Sequence, residues 1–149
     1  MHAGVIGNAR VLAMLVVILL AVTSCGGSDQ SSELKNVAWQ WSGIREGEGL
    51  AGLSPVPDPA SYLLRLDDDG TFIGRADCKS VAGTYSLSGK ELTLELRPTA
   101  KRRCGKGSRA DRYIALLKRV ATYEIYGERA LALGLENDTG SLYFYVGSG

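Results

Sequence analysis

Apolar and polar residues alternate along much of the chain from Trp39 onward, and this pattern predicts a domain made mainly of β-strands. Successive side chains of a strand point to opposite faces, so an apolar residue at every second position gives each strand one buried face. With the partner strands that the turns imply, about seven or eight short strands are expected. The alternating apolar positions are Trp39 and Trp41; Tyr62, Leu64 and Leu66; Leu92, Leu94 and Leu96; Leu131, Leu133 and Leu135; and Leu142, Phe144 and Val146.

Turn residues separate these segments and define two hairpins. The segment 67–70 ends in Asp-Gly, a strong hairpin signal, and 71–76 returns as the partner strand. A calcium loop is the alternative for its three aspartates, but the alternating ligands and closing glutamate of an EF-hand are missing. A second hairpin joins 83–87 to 91–96, whereas the prolines within 54–59 predict an irregular loop.

One amphipathic helix is predicted between two strand regions. Ser108 and Asp111 have the spacing of a capping-box pair, which places the start of the helix near Ser108. Its end is expected near Val120, because 121–125 returns to alternation and β-prone residues. The predicted fold class is therefore α+β, mainly β: a curved antiparallel sheet or cracked β-barrel with this helix packed on it. The spacing i, i+3, i+4, i+7 gives the helix one buried face, formed by Tyr113, Leu116, Leu117 and Val120.

The N-terminal part of the chain has the layout of a bacterial lipoprotein signal. Arg10 precedes an unbroken apolar run, Val11 to Val22, and small residues lead into Cys25. This arrangement resembles a lipobox, in which the thiol is acylated and the Cys becomes the new N-terminus. An uncleaved membrane helix is one alternative, but the run is shorter than the ~20 residues that cross a bilayer. An ordinary secretory signal, with Cys25 an incidental thiol, is the other.

These signals divide the chain into three parts. Residues 1–24 are the predicted signal peptide, 25–36 the acylated Cys and a flexible polar tether, and 37–149 one folded domain. Two or more acyl chains hold a protein stably on a membrane. The predicted location is therefore the cell envelope, with a monomeric, lipid-anchored domain that faces the periplasm or the cell exterior.

Charge and composition argue against several classes of function. All 16 acidic residues and all but one of the 17 basic residues follow the predicted cleavage site, so the mature chain is not a globally basic nucleic-acid-binding protein. The only histidine, His2, leaves with the signal, which removes the usual general base and zinc ligand. A phosphate-binding glycine motif is also missing. The sequence therefore predicts no enzyme activity, no metal and no cofactor.

Two cysteines remain in the mature chain, Cys78 and Cys104. Two thiols in an exported protein predict one disulfide. Two buried free thiols are an alternative. A reactive Cys104 is another, because three basic residues precede it and would favour the thiolate.

A cluster of positive charge follows the second hairpin. Residues 97–119 hold nine basic residues against one acidic residue. A patch of this kind binds anionic lipid head groups when it lies at a membrane. An acidic protein partner, acidic segments of the same chain, and plain solvation of a loop are the alternatives. The residues predicted to contact an anionic surface are Lys101, Arg102, Arg103, Lys106 and Arg109.

Several motifs, in order, resemble those of a known family. The sequence D-C-K-x-x-x-G-T-Y begins at Asp77 and is similar to the D-C-N-x-x-x-G-x-Y signature of META domains, the module of HslJ-type heat-shock lipoproteins. Thr99 before the second Cys, the helix motif R-Y-x-x-x-L and a closing hairpin follow in the family's order. Lys79 departs from the usual Asn, and the Thr99–Cys104 spacing is one residue longer than usual, so the geometry beside the cysteines is expected to differ.

The resemblance covers about 37–146 and implies a small cracked barrel, an envelope location and a link with stress or antibiotic tolerance, but no agreed activity. The first functional hypothesis is a non-enzymatic envelope lipoprotein that supports envelope integrity or stress tolerance through protein contacts. The second is a carrier or sensor of a lipid or other apolar ligand, and the third is an inhibitor of an exported enzyme. A filled core favours the first or third, whereas an apolar cavity of several hundred Å³ favours the second. That cavity would be lined by Trp39, Trp41, Tyr62, Leu64 and Phe72.

Overall fold

The computed structural model describes residues 29–47 and 52–147, within which the chain forms nine β-strands and two α-helices. The predicted signal peptide and Cys25 lie outside the described residues. The helices are α1 (Gln30–Leu34) and α2 (Ala110–Leu117), and 3-10 turns occupy Pro59–Ser61 and Glu136–Asp138. The strands are β1 (Trp39–Glu46), β2 (Ser54–Pro55), β3 (Tyr62–Leu66), β4 (Thr71–Ala76), β5 (Lys79–Ser88), β6 (Glu91–Leu96), β7 (Val120–Tyr126), β8 (Ala130–Leu135) and β9 (Gly140–Val146).

Eight of the strands close into an antiparallel barrel. Their order is β1-β3-β4-β5-β6-β7-β8-β9, and β9 pairs back onto β1 along its whole length. The remaining strand, β2, pairs with β1 beyond the point where β3 leaves it. The junction of β6 and β7 has one paired position, Glu91 with Thr122. The prediction of a mainly β domain with one packed amphipathic helix is confirmed, and the expected curved sheet is a closed barrel.

The interior of the barrel contains the apolar residues of the alternating pattern. Burying a side chain of this kind contributes about 1.5–3 kcal/mol, so the packed interior is the main source of stability. The Asp-Gly hairpin is confirmed, because β3 and β4 pair from Leu66 with Phe72 to Tyr62 with Ala76. The largest fully buried side chains are Trp39, Trp41, Phe72, Tyr113 and Phe144.

The two helices lie at opposite ends of the barrel, and strand β3 runs from one end to the other. After α1, the backbone N–H of Asn36 donates to the carbonyl of Leu66, the last residue of β3, at 2.7 Å. Before α2, the backbone N–H of Arg109 donates to the hydroxyl of Tyr62, the first residue of β3, at 2.8 Å. We call the end of the barrel at Leu66 the α1 end and the end at Tyr62 the α2 end.

The folded part begins earlier than the predicted boundary at Val37, so the expectation of a flexible tether is wrong for residues 30–36. Asp29 caps α1 by accepting the backbone N–H of Ser31. Leu34 is fully buried, and its carbonyl accepts the indole N–H of Trp39 at 3.0 Å. Leu34 therefore joins α1 to the core at the end of the barrel.

Helix α2 ends at Leu117, three residues before the predicted end near Val120. Val120 is buried, as expected, but it begins β7 and pairs with Leu135 on β8. Ser108 does accept the backbone N–H of Ala110 at 3.2 Å, so it helps to cap the helix although Arg109 occupies the N-cap position. The other half of the predicted capping pair does not form, because Asp111 binds Lys79 instead.

The expected irregular loop 54–59 contains a short strand. Ser54 and Pro55 form β2, paired with Ile44 and Gly43 on β1. Val56 is buried, and its backbone N–H donates to the carbonyl of Ser42 at 2.9 Å. Proline is compatible with this position because β2 lies at the edge of the sheet, where the missing N–H breaks no ladder.

Candidate functional site

The segment 97–109, which joins β6 to α2, carries the predicted cationic residues, and we call it the basic loop. Its Cys104 is joined to Cys78, in the turn between β4 and β5, with the sulfur atoms 1.94 Å apart and the Cα atoms 5.5 Å apart. The sulfur atoms thus lie at disulfide distance, as the sequence predicts. The bond fixes the middle of the basic loop to the α2 end of the barrel.

Hydrogen bonds hold the basic loop at further points. The guanidinium of Arg102 donates to the carbonyl of Cys78 at 2.6 Å. Arg109 donates through its side chain to the carbonyl of Pro55 at 3.2 Å, in addition to the bond between its backbone N–H and Tyr62. These bonds involve backbone and hydroxyl oxygens and leave the positive charge of each arginine unneutralised. The loop therefore presents its charges on a fixed support.

The five predicted cations are close together in the chain, and four of them are exposed. Lys101, Arg102, Arg103 and Lys106 are exposed, and Arg109 is half-buried. Among the described residues, none of the five has a carboxylate oxygen within the 4.0 Å of an ion pair. The cluster therefore keeps a net positive charge at the surface.

Among the described residues, one other basic residue of the segment 97–119 meets an acidic partner. Arg112 pairs with Glu46 at the end of β1. Arg119 donates to the hydroxyl of Thr139 at 2.6 Å rather than to a carboxylate. The alternative in which acidic segments of the chain neutralise the patch thus describes Arg112 and not the five residues of the basic loop.

Lys79 adds a sixth cation beside the loop, at the position where the family signature has Asn. Its side chain is only 8% exposed, and Nζ lies 2.5 Å from Oδ1 of Asp111, whose side chain is 84% exposed. This pair ties the start of β5 to the first turn of α2. Sequence reasoning noted Lys79 as a departure but did not assign it to the cationic cluster, and its position directly after Cys78 was the available signal.

Three surface grooves flank the basic loop. One of about 300 Å³ is lined by Lys79, Arg103 and Asp111 among others, and one of about 370 Å³ by Cys78, Thr99 and Arg102. The third, of about 170 Å³, lies on the side of Lys106 and Arg109 and also contains Asp58 and Asp77. Cations therefore line a series of neighbouring shallow grooves at the α2 end.

The barrel interior beneath this surface is filled by aromatic rings. Trp41 stacks on Tyr113 of α2 with ring centroids 4.9 Å apart, and Tyr62 meets both rings edge-on at 5.4 and 5.5 Å. The five residues expected to line a ligand cavity are each at most 4% exposed. These side chains occupy the space in which an apolar ligand would lie.

One polar group stays without a partner in this aromatic cluster. The hydroxyl of Tyr113 is buried and makes no hydrogen bond within the described part of the chain. Burial raises the pKa of Tyr113 well above its usual range, because the apolar surroundings disfavour the phenolate. The side chain therefore stays neutral in the folded protein at physiological pH.

The residues that could hold a metal are few in the described ranges. Within 29–47 and 52–147, no three His, Cys, Asp or Glu side chains cluster closely enough to bind an ion. In the aspartate-rich turn, Asp69 accepts both the backbone N–H and the hydroxyl of Thr71, at 3.0 and 2.6 Å, and these bonds lower its pKa.

Within residues 29–47 and 52–147, no helix is long and apolar enough to cross a membrane.

Comparison with known proteins agrees with the motifs around Cys78. The META domain family matches the chain over residues 32–146. The chain belongs to the META domain family. This range begins at Ser32, so the match includes the last three residues of α1, which the sequence pattern had assigned to the tether. No curated protein matches the chain.

Two solved structures share the fold of this META domain. An NMR structure of a protein from Burkholderia xenovorans has a TM-score of 0.61 and 20% identity, with 80% of this chain and 87% of that one covered. A crystal structure of a DUF4847 family protein from Bacteroides vulgatus has a TM-score of 0.59 and 14% identity, with 80% and 99% covered. At these identities the likeness shows the fold alone.

Proposed function

We propose that this META-domain protein is a non-enzymatic, membrane-anchored lipoprotein of the cell envelope, which supports envelope integrity or stress tolerance through contacts made by its outer surface. The filled barrel carries this proposal. Aromatic rings occupy its centre and a helix lies at each end, so a partner meets the outer surface of the barrel and not its interior. The basic loop is a strongly charged region of that surface, and the disulfide and three hydrogen bonds hold it in place.

The proposed anchor is supported by the residues before α1. An apolar run, Val11 to Val22, and small residues precede Cys25, as in bacterial lipoprotein signals. Asp29, the first described residue, caps α1 only four positions after Cys25. Four residues span at most ~14 Å when fully extended, so the barrel would lie close to the membrane that holds the lipid.

The proposed absence of catalysis is supported by the chemistry of the surface. The mature chain has no histidine to act as a general base. The cations of the basic loop bind and orient anions well, but the guanidinium group of arginine does not lose its proton in proteins. Lys79, the one largely buried cation of the described residues, has its ammonium group bound to Asp111. This arrangement favours binding over bond-making.

A Cys25→Ser substitution tests the anchor directly. We expect the wild-type protein, expressed in a bacterial host with a lipoprotein pathway, to carry diacylglycerol on residue 25 by intact-mass measurement and to stay in the membrane fraction after a high-salt wash. The Cys25→Ser protein should lose both properties. Ser28→Ala, a substitution in the same segment, is the matched control and should keep both. An unchanged mass and membrane fraction in the Cys25→Ser protein would contradict the proposal.

A further inference from the structure

We propose that the basic loop faces away from the anchoring membrane and binds a polyanion, a polymer carrying phosphate or carboxylate groups, that lies beyond the membrane surface. The inference rests on the proposed anchoring through Cys25, and it names the class of partner that the surface of the barrel meets.

The first support is the separation of the basic loop from the start of the domain along the barrel. Strand β1 begins with Trp39, whose indole N–H binds the carbonyl of Leu34 in α1. It ends at Glu46, which pairs with Arg112 of α2. The strand has eight residues, and at about 3.3 Å per residue it spans about 23 Å. The chain therefore enters at one end of the barrel, and the cations lie at the other.

The second support is a separation across the barrel. Helix α1 packs against β7, and Tyr123 on β7 has its pKa raised by burial and then by the carboxylate of Asp29. The basic loop instead lies over β3 to β5, through the contacts of Arg109 with Tyr62 and of Arg102 with Cys78. In the order of the eight strands, β3 and β7 stand four positions apart, on opposite sides of the barrel. Asp29, at the start of α1, and the basic loop are thus diagonally opposed.

The range of electrostatic attraction makes this separation decisive. The chain from Cys25 to Asp29 reaches at most ~14 Å, which keeps the α1 end near the lipid. Attraction between exposed charges is largely screened beyond the Debye length, about 8 Å at physiological salt. Barrel strands tilt by about 35–45°, so the 23 Å of β1 corresponds to about 16–19 Å along the barrel axis. With the α1 end facing the membrane, a loop at that distance lies outside the range for the head groups of the anchoring leaflet. The charges of the loop are therefore available to a partner on the far side.

The spacing of the cations indicates a polymer rather than a single small anion. Lys101, Arg102 and Arg103 are consecutive, and Lys106 and Arg109 follow on the other side of the disulfide. Four of these five, all but Lys101, line neighbouring open grooves rather than one enclosed pocket. Arginine side chains bind phosphate and carboxylate oxygens in pairs, and each of the three grooves is lined by one arginine, so neighbouring grooves favour repeated anionic groups.

The test measures binding of long-chain inorganic polyphosphate to the full lipidated protein held in phosphatidylcholine vesicles. We expect saturable binding that weakens as the salt concentration rises. Arg103→Glu with Lys106→Glu, two exposed cations of the loop, should weaken it about tenfold or more, since each cation near an anionic surface contributes ~1 kcal/mol. Lys90→Glu with Arg129→Glu reverses two exposed cations in hairpins near the α1 end, and this matched control should change the affinity less than about twofold.

Three results would overturn the inference: no polyphosphate binding, equal weakening by both pairs of substitutions, or loss of binding when phosphatidylglycerol is added to the same vesicles at physiological salt. The last result would show that the loop contacts the anchoring membrane itself. Flotation of the vesicles reports the anchor separately. If the protein does not float with them, the proposed anchoring fails, and the polyphosphate comparison of the two variant pairs in solution still decides whether the loop binds a polyanion.

Discussion

Leu34 decides whether α1 belongs to the folded domain or to a tether. Its side chain is fully buried, and its carbonyl accepts the indole N–H of Trp39. Leu34→Ala removes three carbon atoms, each worth about 0.8 kcal/mol of lost burial, or about 2.4 kcal/mol together. The cavity left behind adds to this value, because a packed site collapses only in part. We expect the free energy of unfolding to fall by about 3 kcal/mol.

The assay is urea unfolding of residues 26–149, monitored through tryptophan fluorescence. With an m-value of about 2 kcal/mol per M, a loss of about 3 kcal/mol lowers the midpoint by about 1.5 M. Glu33→Ala is the matched control, because Glu33 is exposed on the same helix, and its midpoint should stay within about 0.3 M of wild type. If Leu34→Ala shifts the midpoint no more than Glu33→Ala, residues 30–36 behave as a tether and the packing of α1 is refuted.

Three further predictions concern the barrel. Tyr113→Phe removes a buried hydroxyl without a partner, so urea unfolding should show stability unchanged or raised by about 1 kcal/mol. The pKa of Tyr113 is raised in the folded state, so above about pH 10 the unfolded chain loses this proton first and wild-type stability should fall with a steeper slope than that of the variant. Gly83→Ala would push its Cβ against the carbonyl of Glu95 and should lower the free energy of unfolding by several kcal/mol. The Cβ of Gly89→Ala meets no atom within 4 Å, so this variant should lose only about 1 kcal/mol for its positive φ, and melting temperatures check the ranking. Replacing both cysteines of the disulfide by serine should cost about 3–4 kcal/mol, and a loss below about 1 kcal/mol would show that the bond does not constrain the unfolded chain.

Local sequence patterns predicted most of the barrel, because strand alternation and Asp-Gly turns depend on neighbouring residues. The burial of Tyr62, Leu64 and Leu66 followed from their spacing alone. The burial of Leu34 did not, since it is an isolated apolar residue in a polar stretch and depends on a barrel end built from distant strands. Barrel closure by β1 and β9 is likewise a long-range pairing that no local signal reports.

The candidate site was predicted in the same uneven way. The charge of residues 101–109 can be read directly from the sequence, and so can the cysteine pair. Their place at the α2 end, opposite α1, required the strand order. The contact between Lys79 and Asp111 joins residues 32 positions apart, and the sequence offered a capping role for Asp111 instead. Local rules assign side chains to nearby partners, and a closed barrel brings distant ones together.

Native mass spectrometry of residues 26–149, purified gently from an exported preparation, tests the central claim that the barrel is filled and acts through its surface. The account predicts a bare mass, two hydrogen atoms below that of the fully reduced chain because of the disulfide. A reproducible apolar molecule, lost on denaturation and retained by the Arg103→Glu, Lys106→Glu variant, would contradict it, because binding of that molecule would not depend on the basic loop.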